Sequence, residues 1–165
     1  MQKKSFKYPD TDATKYVIKQ LHAKGVHLKD IAQIAYSYEK DYIPELTLKE
    51  AKHAVKTIVH KREVANTAMV ALNLDELASW GALDEPLQSI VEADAGVFGV
   101  DELLASGIAN LYGQIGITNF GYSDKDKTGI IAKLDTTPGK VNTFIDDIVG
   151  AIAAAAAAKI THDHA

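Results

Sequence analysis

The chain has no cysteine, which excludes disulfides, a thiolate nucleophile and a cysteine zinc site, and permits a reducing compartment. Proline is sparse, at four residues, and no run of alternating polar and apolar residues is long enough for a convincing strand. A basic surplus is also missing, since 22 acids face 18 Lys and Arg for a formal net charge of −4. A nucleic-acid binder needs a basic face, and Lys3, Lys4 and Lys7 are too few to supply one. No apolar run follows those lysines, so the N-terminus does not read as a secretory signal and a cytoplasmic location is expected. Charge is absent altogether from Leu103 to Ser123, 21 residues, about the length that spans a bilayer. Ser106, Asn110, Gln114, Thr118, Asn119 and interspersed glycines keep the mean apolarity of that run low. It is expected as a buried helix of a bundle, not a membrane span.

What is present is globular. The 165 residues are 47% hydrophobic and 24% charged, enough for a single domain with a real core. Tyr16, Ile18 and Leu21 ahead of Gly25 read as an amphipathic helix with a glycine stop, and Leu28, Ile31, Ile34, Ala35 and Tyr38 continue at helical spacing. Thr47-Leu-Lys-Glu50 is a capping box that opens a helix running to about His60. Val64, Ala68, Ala71, Leu72 and Leu77 ahead of Gly81 mark the next, and Pro86 suits the first turn of a short one. Helices are expected from about Val100 to Phe120, from Asp124 to Leu134 and from Val141 to Ile160, with Thr136-Thr-Pro-Gly139 as the last break. The expectation is an all-α, single-domain, compact multi-helix bundle of about seven to eight helices. Residues 8–95 form a helical N-terminal half, and residues 97–160 hold the acidic motifs. Ala153 to Ala158 is an alanine run suited to close helix approach.

The most informative feature is the pair Asp146-Asp147, set in a helix otherwise built from Val, Phe, Ile and Ala. Adjacent carboxylates repel when partly desolvated, so a cation between or beside them is the natural compensation. On the last helix Val141, Ile145, Ile148 and Ile152 form the apolar stripe, with one aspartate on either flank. On the Val100 helix Leu104, Ile108, Leu111 and Ile115 form another, extended by Asp101, which sits where the helix dipole favours an anion. If the two helices pack through Ala105, Gly107, Ala109, Gly113, Gly116 and the alanine run, Asp101 or Glu102 meets Asp146 and Asp147. That gives three or four oxygen ligands, which select Mg²⁺, with Mn²⁺ or Ca²⁺ as alternatives, over zinc. The plainer alternative makes Asp101-Glu102 a helix-start pair and Asp146-Asp147 a solvated edge.

In order and spacing, Asp101-Glu102, Phe120-Gly-Tyr-Ser-Asp124-Lys-Asp-Lys127, Ile131-Ala-Lys-Leu134-Asp135 and Asp146-Asp147 together resemble the phosphatidylglycerophosphatase A family, in particular its short soluble Gram-positive branch. The chain departs from the family at Thr128, where proline is usual, and at Gly150-Ala151, where the order is reversed; the glycine- and threonine-rich N-terminal motif of the membrane enzymes is absent. The resemblance implies Mg²⁺-dependent phosphomonoester hydrolysis, with phosphatidylglycerophosphate as substrate in phospholipid synthesis. It implies Asp101, Asp146 and Asp147 as metal ligands, Glu102 and Asp124 as ligand or general base beside a catalytic Asp147, and Lys127 as the phosphate contact. Arg62, in a basic cluster with Lys61, is a weaker candidate for the phosphate. The implied partner is a phosphorylated small molecule or a phospholipid headgroup, met at most by peripheral contact at the inner face of the membrane.

Two other readings use the same residues. Asp124 to Asp135 fits the twelve-residue EF-hand loop at its first, third, fifth, sixth, eighth and last positions, although the last is Asp where a bidentate Glu is usual and no second loop pairs with it. A non-catalytic metal- or ligand-binding regulatory module on the same fold is the other. His53, His60 and His162-Asp-His164 read as surface and terminus, not as a zinc site. The small residues that permit close packing are compatible with a homo-oligomer.

Overall fold

The alanine run decides the architecture, because a helix with almost no side-chain bulk can be approached from every direction. In the computed structural model, which describes residues 5–165, α9 (Ile145–Asp163) is the central helix, with every residue from Ile145 to Ala158 buried. Around it pack α2 (Leu28–Glu39), α3 (Leu48–Val59), α4 (Arg62–Ser79), α6 (Val100–Ala109), α7 (Gln114–Lys125) and α8 (Gly129–Asp135). Helix α1 (Asp10–Ala23) lies outside, along α4, and α5 (Leu87–Glu92) follows α4 as a short turn. Among the described residues the chain is all-α, with nine helices in one domain. Lys3 and Lys4 lie outside the described residues; Lys7 is exposed.

Local signals set most of the helix ends. Thr47 accepts from the Glu50 amide at 3.2 Å while Glu50 accepts from the Thr47 amide at 2.8 Å, so the capping box forms and opens α3. After α1, Gly25 takes φ +78°, the left-handed turn that lets the Val26 amide reach back to the Leu21 carbonyl at 2.9 Å. Pro86 stands one position before α5 as its N-cap. The last two helices start later than the sequence suggests, α8 at Gly129 and α9 at Ile145, and α9 runs on to Asp163.

The largest departure is in the charge-free run, where one long helix was expected and the chain breaks. Helix α6 stops at Ala109, a single 3-10 turn covers Asn110–Tyr112, and Gly113 (φ +77°, ψ −150°) turns the chain into α7. This split accounts for the helix beyond the expected seven to eight, and it disperses the anticipated stripe. Ile108 is buried, but Leu111 and Ile115 are each 36% exposed. Among the described residues no helix is long and apolar enough to cross a membrane.

The break brings α7 back against the end of α6 at Gly116, where a β-carbon would stand 2.0 Å from the Ala109 carbonyl oxygen. Gly121, on the same helix, has open space around it. Gly116→Ala is therefore expected to destabilise the protein by about 1–3 kcal/mol, whereas Gly121→Ala leaves it unchanged or raises stability by up to about 1 kcal/mol. Thermal or urea unfolding of the two variants checks this pair.

Candidate functional site

The N-terminus of α9 has no cap of its own. Phe144, at the cap position, is fully buried and has no side-chain acceptor. The acceptor comes from α4: Asp75, 1% exposed, takes the Phe144 amide at 3.1 and 3.2 Å through its two oxygens and the Ile145 amide at 2.9 Å. Burial pushes the Asp75 carboxyl up to about 7, against the pull of those two amides and of the Lys24 charge. Asp146 and Asp147 come next in the chain, 5% and 6% exposed. They are not a solvated edge. Because α9 is enclosed on all sides, both flanks of its stripe face protein.

Lys127, from the loop between α7 and α8, reaches into this acid group and donates to Asp146 Oδ2 at 2.8 Å and to Asp135 Oδ1 at 2.7 Å. Burial alone would lower the lysine pKa, but the two carboxylates outweigh it and hold it above its ordinary value. Burial likewise raises Asp146, opposed by its bond to Lys127. Among the described residues Asp147 has no such partner. Burial first, and then the charges of Asp146, Asp101 and Asp124, push its carboxyl up to about 8. Asp101 is half-buried at the start of α6, and its Oδ1 is fully enclosed with no hydrogen-bond partner among the described residues.

The structure thus brings Asp101, Asp124, Lys127 and Asp146 within electrostatic reach of Asp147. Glu102 is not part of the group: one position past Asp101, it is exposed and makes no hydrogen bond or ion pair among the described residues. Arg62 is elsewhere. It grips Asp10 with Nε at 2.6 Å and Nη2 at 2.8 Å and lies over the Tyr8 ring, at the start of α4 about 20 Å along the axis from Asp75. Its role is to tie the first helix to the fourth. The EF-hand alignment also fails here, because α7 runs through Asp124 to Lys125 and α8 begins at Gly129, the sixth loop position, so most of the would-be ligand loop is helical. The C-terminal histidines are ordered at the end of α9, where His164 faces Glu45 and Glu50 at 3.6 Å each.

Two acids of the group escaped the sequence reading. Asp94, in the loop before α6, holds φ +46°, and burial together with the Asp101 charge raises its carboxyl; nothing periodic marks a loop residue. Asp75 was legible, since it falls on the buried face of α4 with Ala68, Ala71, Leu72 and Ala78, and a carboxylate on an apolar stripe needs a partner. A cavity of about 610 Å³ opens beside the segment leading into α9, lined by Lys24, Glu92 and Lys140, and it takes in none of the clustered acids.

The donor set suits a hard divalent cation: carboxylate oxygens alone, one of them enclosed without a partner, and a local excess of negative charge that Lys127 only partly offsets. Among the described residues no three His, Cys, Asp or Glu side chains already stand at ligating separation, so a cation would have to draw the carboxylates in.

Protonation of the cluster makes stability depend on pH. For Asp147 the folded value, about 8, lies above the model-compound value of 3.8, so between these limits the native state binds more protons than the unfolded chain and stability falls as pH rises. In metal-free protein Asp147→Asn is expected to raise the unfolding free energy at pH 7 on the order of 4 kcal/mol, with the difference from wild type vanishing near pH 4. Melting temperatures of both proteins across that range test this.

The acids lie within a stretch of the chain that matches a known family. The family model for phosphatidylglycerophosphatase A matches residues 31–162. The uncharacterized protein YpjQ of Bacillus subtilis (strain 168) is 46% identical over 144 residues, which cover 87% of this chain and 81% of YpjQ, and YutG of the same organism is 45% identical, covering 87% of each. The crystal structure of YpjQ superposes with a TM-score of 0.90 at 43% identity, covering 95% of this chain and 98% of that one. The low temperature requirement C protein of Listeria monocytogenes gives 0.89 at 45% identity, covering 92% and 96%. The chain belongs to the phosphatidylglycerophosphatase A family.

Proposed function

We propose that the protein hydrolyses a phosphate monoester in a divalent-metal-dependent reaction, with phosphatidylglycerophosphate as the substrate and phosphatidylglycerol and phosphate as products. The observation that carries this reading is the buried Asp146-Asp147 pair facing Asp101 and Lys127, an arrangement that is costly for folding and useful for phosphoryl transfer.

Asp101, Asp146 and Asp147 would hold Mg²⁺, with Mn²⁺ or Ca²⁺ as alternatives, and the bound ion would neutralise phosphoryl oxygens and acidify a water. The chain's own groups do the rest. Lys127 keeps its charge through Asp135 and Asp146, and those two bonds use two of its three donors, leaving one for a phosphoryl oxygen. Asp124, exposed at the end of α7 and close enough to add its charge to Asp147, is the acid best placed to take a proton from water and pass it to solvent. Glu102, exposed and outside the group of interacting acids, is a poorer choice for that role. With no membrane-crossing helix among the described residues, the reading has the protein meeting a lipid headgroup from the cytoplasmic side, at the surface of the bilayer.

Phosphate release from phosphatidylglycerophosphate in mixed micelles and from soluble phosphomonoesters, with and without Mg²⁺, tests the proposal. Turnover is expected only with metal. Asp147→Asn should lower kcat by roughly 100-fold or more, at or beyond the upper end of the effect of outer-shell partners, and Lys127→Met should raise KM for the phosphate ester. Metal binding without turnover on any ester would favour the regulatory module.

A further inference from the structure

Asp75 stands on α4, outside the four acidic motifs, and yet it holds the backbone that delivers the paired aspartates. The segment between α8 and α9 is tied down from several sides. Lys24 of α1 donates to the Val141 carbonyl at 2.7 Å and to Asn142 Oδ1 at 3.1 Å. Asn142 donates to the Leu134 carbonyl of α8 at 2.9 Å, and Thr143 to the Val91 carbonyl of α5 at 2.6 Å. Asp75 closes the series by taking the two amides immediately ahead of Asp146. The N-terminal half of the chain therefore clamps the entry to α9.

Stability alone does not explain the choice of a carboxylate there. A helix start is ordinarily satisfied by a Ser, Thr or Asn at its own cap position, and a neutral acceptor on α4 would serve the same amides. A buried acid within electrostatic reach of Asp146 adds like-charge repulsion to an already crowded group. Such an arrangement makes sense where a cation is to be held, because outer carboxylates orient the ligands and add to the field that draws the ion in.

We infer that Asp75 is a positioning residue for the metal site, gripping the Phe144 and Ile145 amides so that Asp146 and Asp147 are presented in fixed register to a divalent cation. This rests on the reading of the acid cluster as a metal site.

The test is Mn²⁺ binding to metal-free protein, followed by calorimetry and by the electron paramagnetic resonance of free Mn²⁺, well below the melting temperature. Wild type is compared with Asp75→Asn, Asp75→Ser and Thr47→Ala. Thr47→Ala removes the α3 cap, far from the cluster in sequence, and reports what a loss of stability does by itself; its affinity should match wild type. Asp75→Ser, too short to reach the two amides, should bind Mn²⁺ about 10- to 100-fold more weakly while folded, and its Mg²⁺ concentration for half-maximal turnover should rise by a similar factor; Asp75→Asn, which keeps one acceptor oxygen, should lose less. Asp75 variants that bind Mn²⁺ as wild type does, while losing only melting temperature, overturn the positioning role and leave the site intact. Wild type that binds no Mn²⁺ overturns the metal site itself.

Discussion

The structure depends on burying a helix that carries two carboxylates at its first turn. Alanine makes α9 thin enough for six helices to pack on it, and that enclosure takes Asp146 and Asp147 out of water. The groups around the N-terminus of α9 answer that burial only in part. Asp75 satisfies the helix amides, Lys127 pairs one aspartate, and the other is left to hold a proton near neutral pH. A fold selected for stability alone would place Ala or Leu at those positions. The enclosure also fixes geometry, since side chains at the start of a fully packed helix have little freedom to move.

The remaining acids are delivered by elements that are less enclosed. Asp101 enters from the first turn of α6, Asp124 from the last turn of α7, and Asp94 from a loop with a positive φ. The centre is therefore enclosed on the α9 side and open to solvent on its rim, where Asp124 is exposed and Asp101 half-buried. The break at Gly113 contributes directly. A single straight helix through this region would carry the chain away from α9, whereas the turn brings α7 back across it and ends near Asp147.

Much of this was written in local sequence signals. The Thr47 capping box and the Gly25 stop have purely local causes, and both form as the residues dictate. Helical spacing put Asp101 at the first turn of α6 and Asp146 and Asp147 on the flanks of the last helix, and in the structure the Asp101 charge acts on Asp147. The Gly113 break was not legible, because the glycines and amides of an uncharged run suit a continuous helix as well as a turned one, and the contact at Gly116 that favours the turn is tertiary. For the same reason Arg62 looked like a phosphate contact: a basic cluster carries no mark of the distance between it and the acids. Asp94 owes its place to a loop path, whereas Asp75 was visible as a charge on an apolar stripe and went unused.

Counting the protons released when Mg²⁺ binds is the most direct test of the central claim, that these acids are a cation site kept partly protonated until the ion arrives. At pH 7, in two buffers of different ionisation enthalpy, the account predicts saturable binding with release of about one proton per ion, and loss of that release in Asp147→Asn. Binding with no proton release, or release unchanged in the variant, would contradict it.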